Sequence, residues 1–364
     1  MNTSRRIFLQ AGGGAALASL VDRTAFAQER HFEPRPGRWR TFEVTTRVEI
    51  AERAGATRLW LPVPSVDSAW QQSLVSGWRS NGQAQVTHAA DGRVTALAVS
   101  FSADESAPFA EVTSRVRTQD RAVDWSAPGR PARDAALEHW TRPTALVPTD
   151  GIVRATALEA TRGAHGDVEQ VRGIYQWLVK NAYREPKVRG CGEGDIKTIL
   201  ETGNLGGKCA DINAVFVGLC RSMGIPARDL YGLRLARSAS GYSQLGADPA
   251  NLAGAQHCRA EVWLRQYGWV AMDPADVTKV MRSETPEWIK TTAHPLVKPI
   301  EAALFGSWEG NWVAWNAAAD VALPGAKQSR LGFFMYPIAE NDEGPFDSYS
   351  PDDFKYRISA REIV

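Results

Sequence analysis

Residues 206–226 read GGKCADINAVFVGLCRSMGIP, and this stretch predicts the helix around which the rest of the chain is organised. Its apolar residues recur at helical spacing, which places them on one buried face. The helix is expected to begin near Lys208, and Gly224 followed by Pro226 is expected to end it. The expected core face consists of Ile212, Val215, Phe216, Leu219 and Met223.

Cys209 falls in the first turn of this helix. The unpaired N–H groups and the helix dipole favour an anion there, so this position lowers the pKa of a cysteine thiol. The glycines at 206 and 207 permit a tight turn and the close approach of a substrate backbone. Cys209 is therefore a candidate nucleophile, which needs a general base, normally a histidine held by a third group.

A base and its orienting partner are expected in the hairpin that follows. Strand-like segments cover residues 259–265 and 269–273, with a turn at 266–268 between them. The turn lies close to the midpoint between His257 and Asp273. Folding the hairpin there places the two residues opposite each other on neighbouring strands, to within a few residues of strand register. The hairpin alone does not establish that Cys209 faces this pair.

Three motifs in this region resemble a known family. Residues 207–211, GKCAD, and 221–228, RSMGIPAR, resemble the cysteine segment of the transglutaminase-like superfamily. Residues 257–262, HCRAEV, and 268–274, GWVAMDP, resemble its histidine and aspartate segments. The motifs occur in the family's order and spacing, and the resemblance covers about residues 165–276.

The resemblance implies a papain-like core, in which a cysteine at a helix N-terminus faces His and Asp on an antiparallel sheet. It implies that Cys209 is the nucleophile, His257 the base and acid, and Asp273 the orienter. The family commonly has Ala-Trp after the histidine, whereas this chain has Cys258-Arg259. These side chains flank the site, so the substrate preference is expected to differ from that of the family.

The rest of the chain divides into further regions, and the predicted fold class is α+β. Alternating apolar and polar residues from Thr41 onward predict an all-β sandwich over 36–125, followed by a connector over 126–148. The transglutaminase-like catalytic core is expected over 149–283, where Asp167 and Asp195 are expected to cap two more helices. A C-terminal β-rich extension, 284–364, is expected to pack on the core. Its tryptophans Trp308, Trp312 and Trp315 either line a substrate groove or pack between domains.

The first residues are typical of an export signal. Residues 4–10, SRRIFLQ, match the twin-arginine pattern at all but the last position; an apolar stretch over 11–21 and the cleavage pattern Ala-Phe-Ala at 25–27 follow. Residues 1–27 are thus expected to be a signal peptide that the twin-arginine export machinery reads. The expected location is the periplasm or the outside of the cell.

Composition excludes several classes of protein. With 42 Lys+Arg against 41 Asp+Glu, the chain is not expected to bind nucleic acid by bulk charge. No apolar run after the first 30 residues reaches the ~18 residues of a transmembrane segment.

The cysteines suggest neither a disulfide scaffold nor a standard zinc site, and no cofactor or metal is expected. A metal site of Cys191, Cys209, His257 and Cys258 is the alternative, although its spacing fits no standard zinc pattern. If His257 faces the site, Cys258 is expected on the other side of its strand, where a Cys191–Cys258 disulfide is conceivable. Cys220 is expected to be a small core residue.

Taken together, the sequence predicts an exported cysteine enzyme that forms a thioester with an amide or peptide carbonyl of a peptide or protein substrate. Hydrolysis makes it a peptidase or amidase; transfer to an amine makes it a protein cross-linking acyltransferase. The alternative of another class is a catalytically silent binding or assembly module. The backbone N–H of Cys209 is the expected oxyanion donor, with Asn204 or Trp177 as side-chain candidates.

Overall fold

The computed structural model of the protein describes residues 30–51, 55–90, 92–132, 135–328 and 330–363. The expected export signal, residues 1–27, lies outside these ranges. Within them, no helix combines the length and the apolar character that a membrane crossing needs.

Strands dominate both ends of the described chain, and helices are concentrated in its middle. The strands are β1 (Arg40–Glu49), β2 (Thr57–Val63), β3 (Gln71–Ser80), β4 (Gln83–His88), β5 (Thr95–Phe101), β6 (Phe109–Thr118), β7 (Arg121–Ala122), β8 (Tyr183–Arg184), β9 (Gly206–Gly207), β10 (Ala227–Arg234), β11 (Gln256–Leu264), β12 (Gly268–Met272), β13 (Ser307–Trp308), β14 (Trp312–Asn316), β15 (Ala319–Val321), β16 (Leu331–Phe333), β17 (Ile338–Glu340) and β18 (Tyr356–Ile363). The helices are α1 (Gly151–Ala160), α2 (Gly166–Asn181), α3 (Ile196–Thr202), α4 (Cys209–Ser222), α5 (Pro274–Ser283), α6 (Lys298–Ala303) and α7 (Pro351–Phe354).

The β-rich front of the chain forms two antiparallel sheets, in the orders β18-β1-β6-β3 and β17-β2-β5-β4. Along β1, every second side chain is buried, as its period-two pattern predicts. Val44 and Val112 of one sheet and Leu59 and Leu97 of the other belong to the same hydrophobic core. This arrangement is the sandwich expected for the front region.

The α+β core is built around α4, whose residues 209–221 are buried. It packs against the antiparallel sheet β12-β11-β10-β14, while α1, α2, α3 and α5 contact its other sides. A helix that is apolar around most of its circumference can be stable only when it is enclosed in this way. The predicted α+β class, with a β-rich front region, is confirmed.

The residues expected to form the C-terminal extension, 284–364, contribute to both regions. Strand β14 pairs with β10 and so extends the core sheet. Strands β17 and β18 instead pair with β2 and β1 and complete the two sheets of the sandwich. These last pairings join the front of the chain to its end.

The C-terminal tryptophans pack between the regions. Trp308 and Trp312 are each 1% exposed, and their rings lie 5.3 and 6.1 Å from the ring of Trp70, which follows β2. Arg259 of the core sheet lies over both rings, at 5.0 and 4.9 Å from their centroids. Of the two roles open to these tryptophans, the structure supports packing.

Candidate active site

Cys209 begins α4 and is buried against a glycine-containing loop. Asp211 ties that loop to the helix, because its carboxylate accepts hydrogen bonds from the backbone N–H groups of Lys208, Glu193 and Gly194, each at 2.9 Å. A Cβ at Gly192 would lie 1.9 Å from Asp211 Oδ2, and its φ of +90° also favours glycine.

The same loop brings a second thiol to the nucleophile. The backbone N–H of Ala210 donates to the carbonyl of Cys191 at 2.9 Å. The Cys191 thiol donates a hydrogen bond to the carbonyl oxygen of Gln256 at 3.3 Å and accepts one from the Tyr336 hydroxyl at 3.1 Å. Cys191 is thereby fixed beside the start of α4.

His257 and Asp273 come together through the hairpin of β11 and β12. The strands pair antiparallel, with Ala260 opposite Met272 and Leu264 opposite Gly268. His257 Nε2 lies 2.8 Å from Asp273 Oδ2, and both side chains are buried. Because Nε2 is held by the carboxylate, the ring presents Nδ1 as its free nitrogen.

Cys209 faces this pair, and its surroundings favour the thiolate. The neighbouring thiols of Cys191 and Cys258 hold the pKa of Cys209 well below its usual range, and His257 adds to them against the opposing effect of burial. The structure therefore brings Cys209, His257 and Asp273 into one buried cluster.

Cys258 is closer to Cys209 than strand alternation predicts. Burial and the neighbouring thiols of Cys191 and Cys209 raise the pKa of Cys258 well above its ordinary value. Helix α4 packs against β11, and Asn213 of α4 donates to the carbonyl of Cys258, so this part of the strand lies close to the start of the helix. All four cysteines, with Cys220 among them, are buried free thiols.

A buried charge network surrounds the His–Asp pair. Arg234 Nη2 donates to both carboxylate oxygens of Asp276, at 2.5 and 2.7 Å, and Asp276 Oδ1 lies 3.4 Å from His257 Nε2. Arg259 Nε lies 3.6 Å from Asp273 Oδ2. Sequence patterns gave no sign of this network, because its members come from three separate elements.

The network sets the pKa of each member. Burial and Arg234 lower the pKa of His257, but the carboxylates of Asp276 and Asp273 outweigh them, so its pKa is raised. Burial and the neighbouring Asp276 raise the pKa of Asp273. Burial would raise the pKa of Asp276 as well, but Arg234 and His257 hold it below its ordinary value.

Asn213 is a site residue that the sequence analysis missed. Its amide donates to the Cys258 carbonyl at 2.9 Å and to Asp273 Oδ1 at 3.3 Å, and its oxygen accepts from the Ala275 N–H at 3.3 Å. Asn213 follows Cys209 by one helical turn, so it lies on the same face of α4. That i, i+4 spacing is the signal that identifies it.

The site opens into a cavity of about 560 Å³, which Cys209 and His257 line. Neither side-chain candidate for the oxyanion hole reaches it. Asn204 accepts hydrogen bonds from Tyr183 and Gly206, and Trp177 packs against the core. Gln256 does line the cavity, and its buried Nε2 has no hydrogen-bond partner among the described residues.

Two sets of side chains are candidate metal ligands. Ligand atoms of His257, Asp273 and Asp276 lie within 4.8 Å of one another, but Arg234 and Arg259 already compensate these carboxylates. The alternative set consists of Cys191, Cys209, His257 and Cys258. Among the described residues, the ligand atoms of this set do not all lie within 4.8 Å of one another.

Known proteins resemble this chain in sequence and in fold. Residues 154–274 match the model of the transglutaminase-like superfamily. An uncharacterized protein from Haemophilus influenzae is 34% identical over 334 residues, which cover 85% of this chain and 87% of that protein. A crystal structure from Cytophaga hutchinsonii, named as that of a candidate cysteine protease, matches with a TM-score of 0.54 and 13% identity, over 90% of this chain and 92% of its own. At that identity, the likeness shows a shared fold. The chain therefore belongs to one family with the Haemophilus protein, and its residues 154–274 match the transglutaminase-like superfamily.

Proposed function

We propose that the protein is a cysteine enzyme that hydrolyses amide or peptide bonds, with Cys209 as nucleophile, His257 as general base and acid, and Asp273 as orienter. The observation that carries the proposal is that Asp273 holds His257 Nε2 at 2.8 Å while His257 lines the same cavity as Cys209 and helps to lower the pKa of that thiol. The Cytophaga protein of the same fold is named as a candidate cysteine protease, which agrees with this class of reaction.

The reaction begins with the Cys209 thiolate and the His257 imidazolium. The thiolate attacks the substrate carbonyl and forms a tetrahedral intermediate, and His257 Nδ1–H donates its proton to the leaving amine. The product is a thioester on Cys209. Water, deprotonated by His257, then attacks the thioester and releases the acid and the free thiolate.

Two donors fit the oxyanion. The backbone N–H of Cys209 has no acceptor within the helix, as for any residue in the first turn. Gln256 lines the same cavity, and its buried Nε2 has no hydrogen-bond partner among the described residues. A buried amide N–H that has no acceptor raises the free energy of the folded protein. An oxyanion in the cavity would supply the missing acceptor.

The pKa directions set a pH window for turnover. The rate should rise as the pH passes the lowered pKa of Cys209, because the thiolate forms there. It should fall as the pH passes the raised pKa of His257, because the imidazolium loses the proton that the leaving amine needs.

Product analysis after incubation with peptides tests hydrolysis directly. New amino termini that appear with the wild type and with Cys220→Ser, but not with Cys209→Ser, support the proposal, since Cys220 is a buried thiol remote from the cavity. Release of ammonia with incorporation of an added amine would instead identify the cross-linking acyltransferase. If the protein forms no thioester and catalyses neither reaction, the remaining hypothesis is the catalytically silent binding or assembly module.

We also propose that the enzyme works outside the cytoplasm. The twin-arginine pattern at residues 4–10 and the cleavage pattern at 25–27 support export by the twin-arginine machinery. That machinery generally carries folded proteins, so the Cys209 thiol would be buried in its site before it met an oxidising compartment.

A further inference from the structure

The cavity in front of Cys209 is lined by cationic side chains from four different parts of the fold. Arg184 belongs to β8, Lys208 precedes α4, Arg234 ends β10, and Lys279 lies on α5. Among the described residues that line this cavity, none is Asp or Glu. The surface around the nucleophile is therefore positive.

One of the four cations is already neutralised. Arg234 is paired with Asp276. In the described part of the chain, no carboxylate oxygen lies within 4.0 Å of the charged nitrogens of Arg184, Lys208 or Lys279. Lys279 Nζ donates to the carbonyl of Gln244 at 2.7 Å, which uses one of its three hydrogens. Arg184, Lys208 and Lys279 thus line the cavity without an ion pair at that distance among the described residues, although Asp211 and Asp276 partly offset the charges of Lys208 and Lys279.

These cations are close enough to repel one another. Burial and the charges of Arg234 and Arg184 lower the pKa of Lys279 to about 8, against the opposing effects of Asp276 and Cys209. Burial and Arg184 likewise lower the pKa of Lys208. Like charges gathered in this way raise the energy of the empty site, and a bound anion relieves it. The Cys209 thiolate and the His257 imidazolium balance each other, so the excess positive charge remains.

We infer that the substrate is an anionic amide or peptide, whose carboxylate lies among Arg184, Lys208 and Lys279 while its scissile carbonyl lies at Cys209. The inference rests on the proposed function, because it assigns the substrate class of that site. A carboxylate is the anion that peptides carry, at an Asp or Glu side chain or at the C-terminus.

The test compares two alkylating reagents of nearly equal size, iodoacetate and iodoacetamide, at Cys209. In the wild type, the ratio of their rates should exceed the ratio for free cysteine by about tenfold or more, because the cations concentrate the anionic reagent. Lys279→Gln and Arg184→Gln should each lower the ratio by about threefold. Lys180→Gln is the matched control, since Lys180 is exposed on α2 and does not line the cavity. The His257 charge attracts iodoacetate too, but it is present in every variant.

Protection of Cys209 against iodoacetamide identifies the source of the carboxylate. N-acetylglutamine and N-acetylglutamic acid α-amide are isomers that differ only in whether the carboxylate is terminal or on the side chain. We expect one of them to protect Cys209 at a lower concentration than neutral N-acetylglutamine amide. Equal protection by all three compounds would overturn the inference.

Failure of the inference is distinguishable from failure of the proposed function. If Cys209 is alkylated rapidly but the reagent ratio is unchanged in Lys279→Gln and Arg184→Gln, the anionic substrate class is wrong and the nucleophile stands. If neither reagent alkylates Cys209 in the folded protein, the nucleophile assignment fails, and the substrate class falls with it.

Discussion

His257 Nε2 lies 2.8 Å from Asp273 Oδ2, in a pair whose side chains are 4% and 0% exposed. The contact leaves Nδ1 as the free ring nitrogen, which the proposed mechanism uses at Cys209. It also places a negative charge beside the imidazolium. Asp276 adds a second negative charge near the ring, and Arg259 lies near the carboxylate of Asp273. The pair therefore orients His257 and stabilises its charged form.

Asp273→Asn should lower kcat by one to three orders of magnitude, on the order found for known triads. The amide retains a hydrogen bond to the ring but removes the negative charge, so the imidazolium is less stable. Asp276 remains beside the ring, which limits the loss. Steady-state kinetics with a peptide substrate would check this. An unchanged kcat would show that Asp273 has no orienting role.

Cys191→Ala should raise the pH midpoint for alkylation of Cys209, because the neighbouring Cys191 thiol helps to hold the pKa of Cys209 below its usual range. Cys220→Ala is the control, since Cys220 lies in the core and does not line the cavity. The measurement is alkylation rate against pH. A midpoint that moves in the control as much as in Cys191→Ala would contradict the role given to Cys191.

Asp229→Asn should stabilise the protein at neutral pH. Burial raises the pKa of Asp229 from 3.8 to about 7, and its Oδ1 has no partner among the described residues. The folded state therefore holds a proton that the unfolded state releases, so stability is lost as the pH rises through the folded-state pKa. The amide removes this loss, and the free energy of unfolding at pH 8 should rise by about 2–4 kcal/mol.

Urea unfolding of Asp229→Asn at pH 4 and pH 8 measures this difference. The variant should gain much more at pH 8 than at pH 4. Asp352→Asn, at an exposed position, supplies the control. An equal change at both pH values would show that Asp229 does not titrate on unfolding.

Changing Arg5 and Arg6 to Lys should retain the protein in the cytoplasm with its signal uncut. The reason is the twin-arginine pattern at residues 4–10. Cell fractionation with mass measurement of the N-terminus would check it. Normal processing and export of the double variant through this pathway would refute the assignment.

Local sequence patterns predicted the helix and the strands that carry the site residues. They did not predict contacts between segments that are distant in the sequence. The helix expected near Lys208 is α4, and the expected strands are β11 and β12 to within three residues. Asp195 caps α3 as expected, through a hydrogen bond from the Thr198 N–H. Asp167 does not cap α2; it lies in the first turn and accepts a hydrogen bond from the Arg265 N–H instead.

Three other features could not be predicted because they depend on tertiary placement. The pairing of β18 with β1 joins segments more than 300 residues apart, and no short-range pattern encodes such a contact. The Arg234–Asp276 pair comes from a strand end and a helix that are separated by a hairpin. The position of Cys258 beside Cys209 depends on where α4 begins relative to β11, which strand alternation alone does not give.

The rate of Cys209 alkylation against pH, in the wild type and in His257→Ala, tests the central claim most directly. The account predicts a wild-type midpoint well below the ordinary thiol pKa of about 8.5, because Cys209 is held as a thiolate. It also predicts a higher midpoint and almost no turnover in His257→Ala, with thermal unfolding confirming that the variant is folded. If folded His257→Ala keeps both the wild-type midpoint and the wild-type turnover, then His257 does not serve Cys209 and the catalytic cluster is wrong.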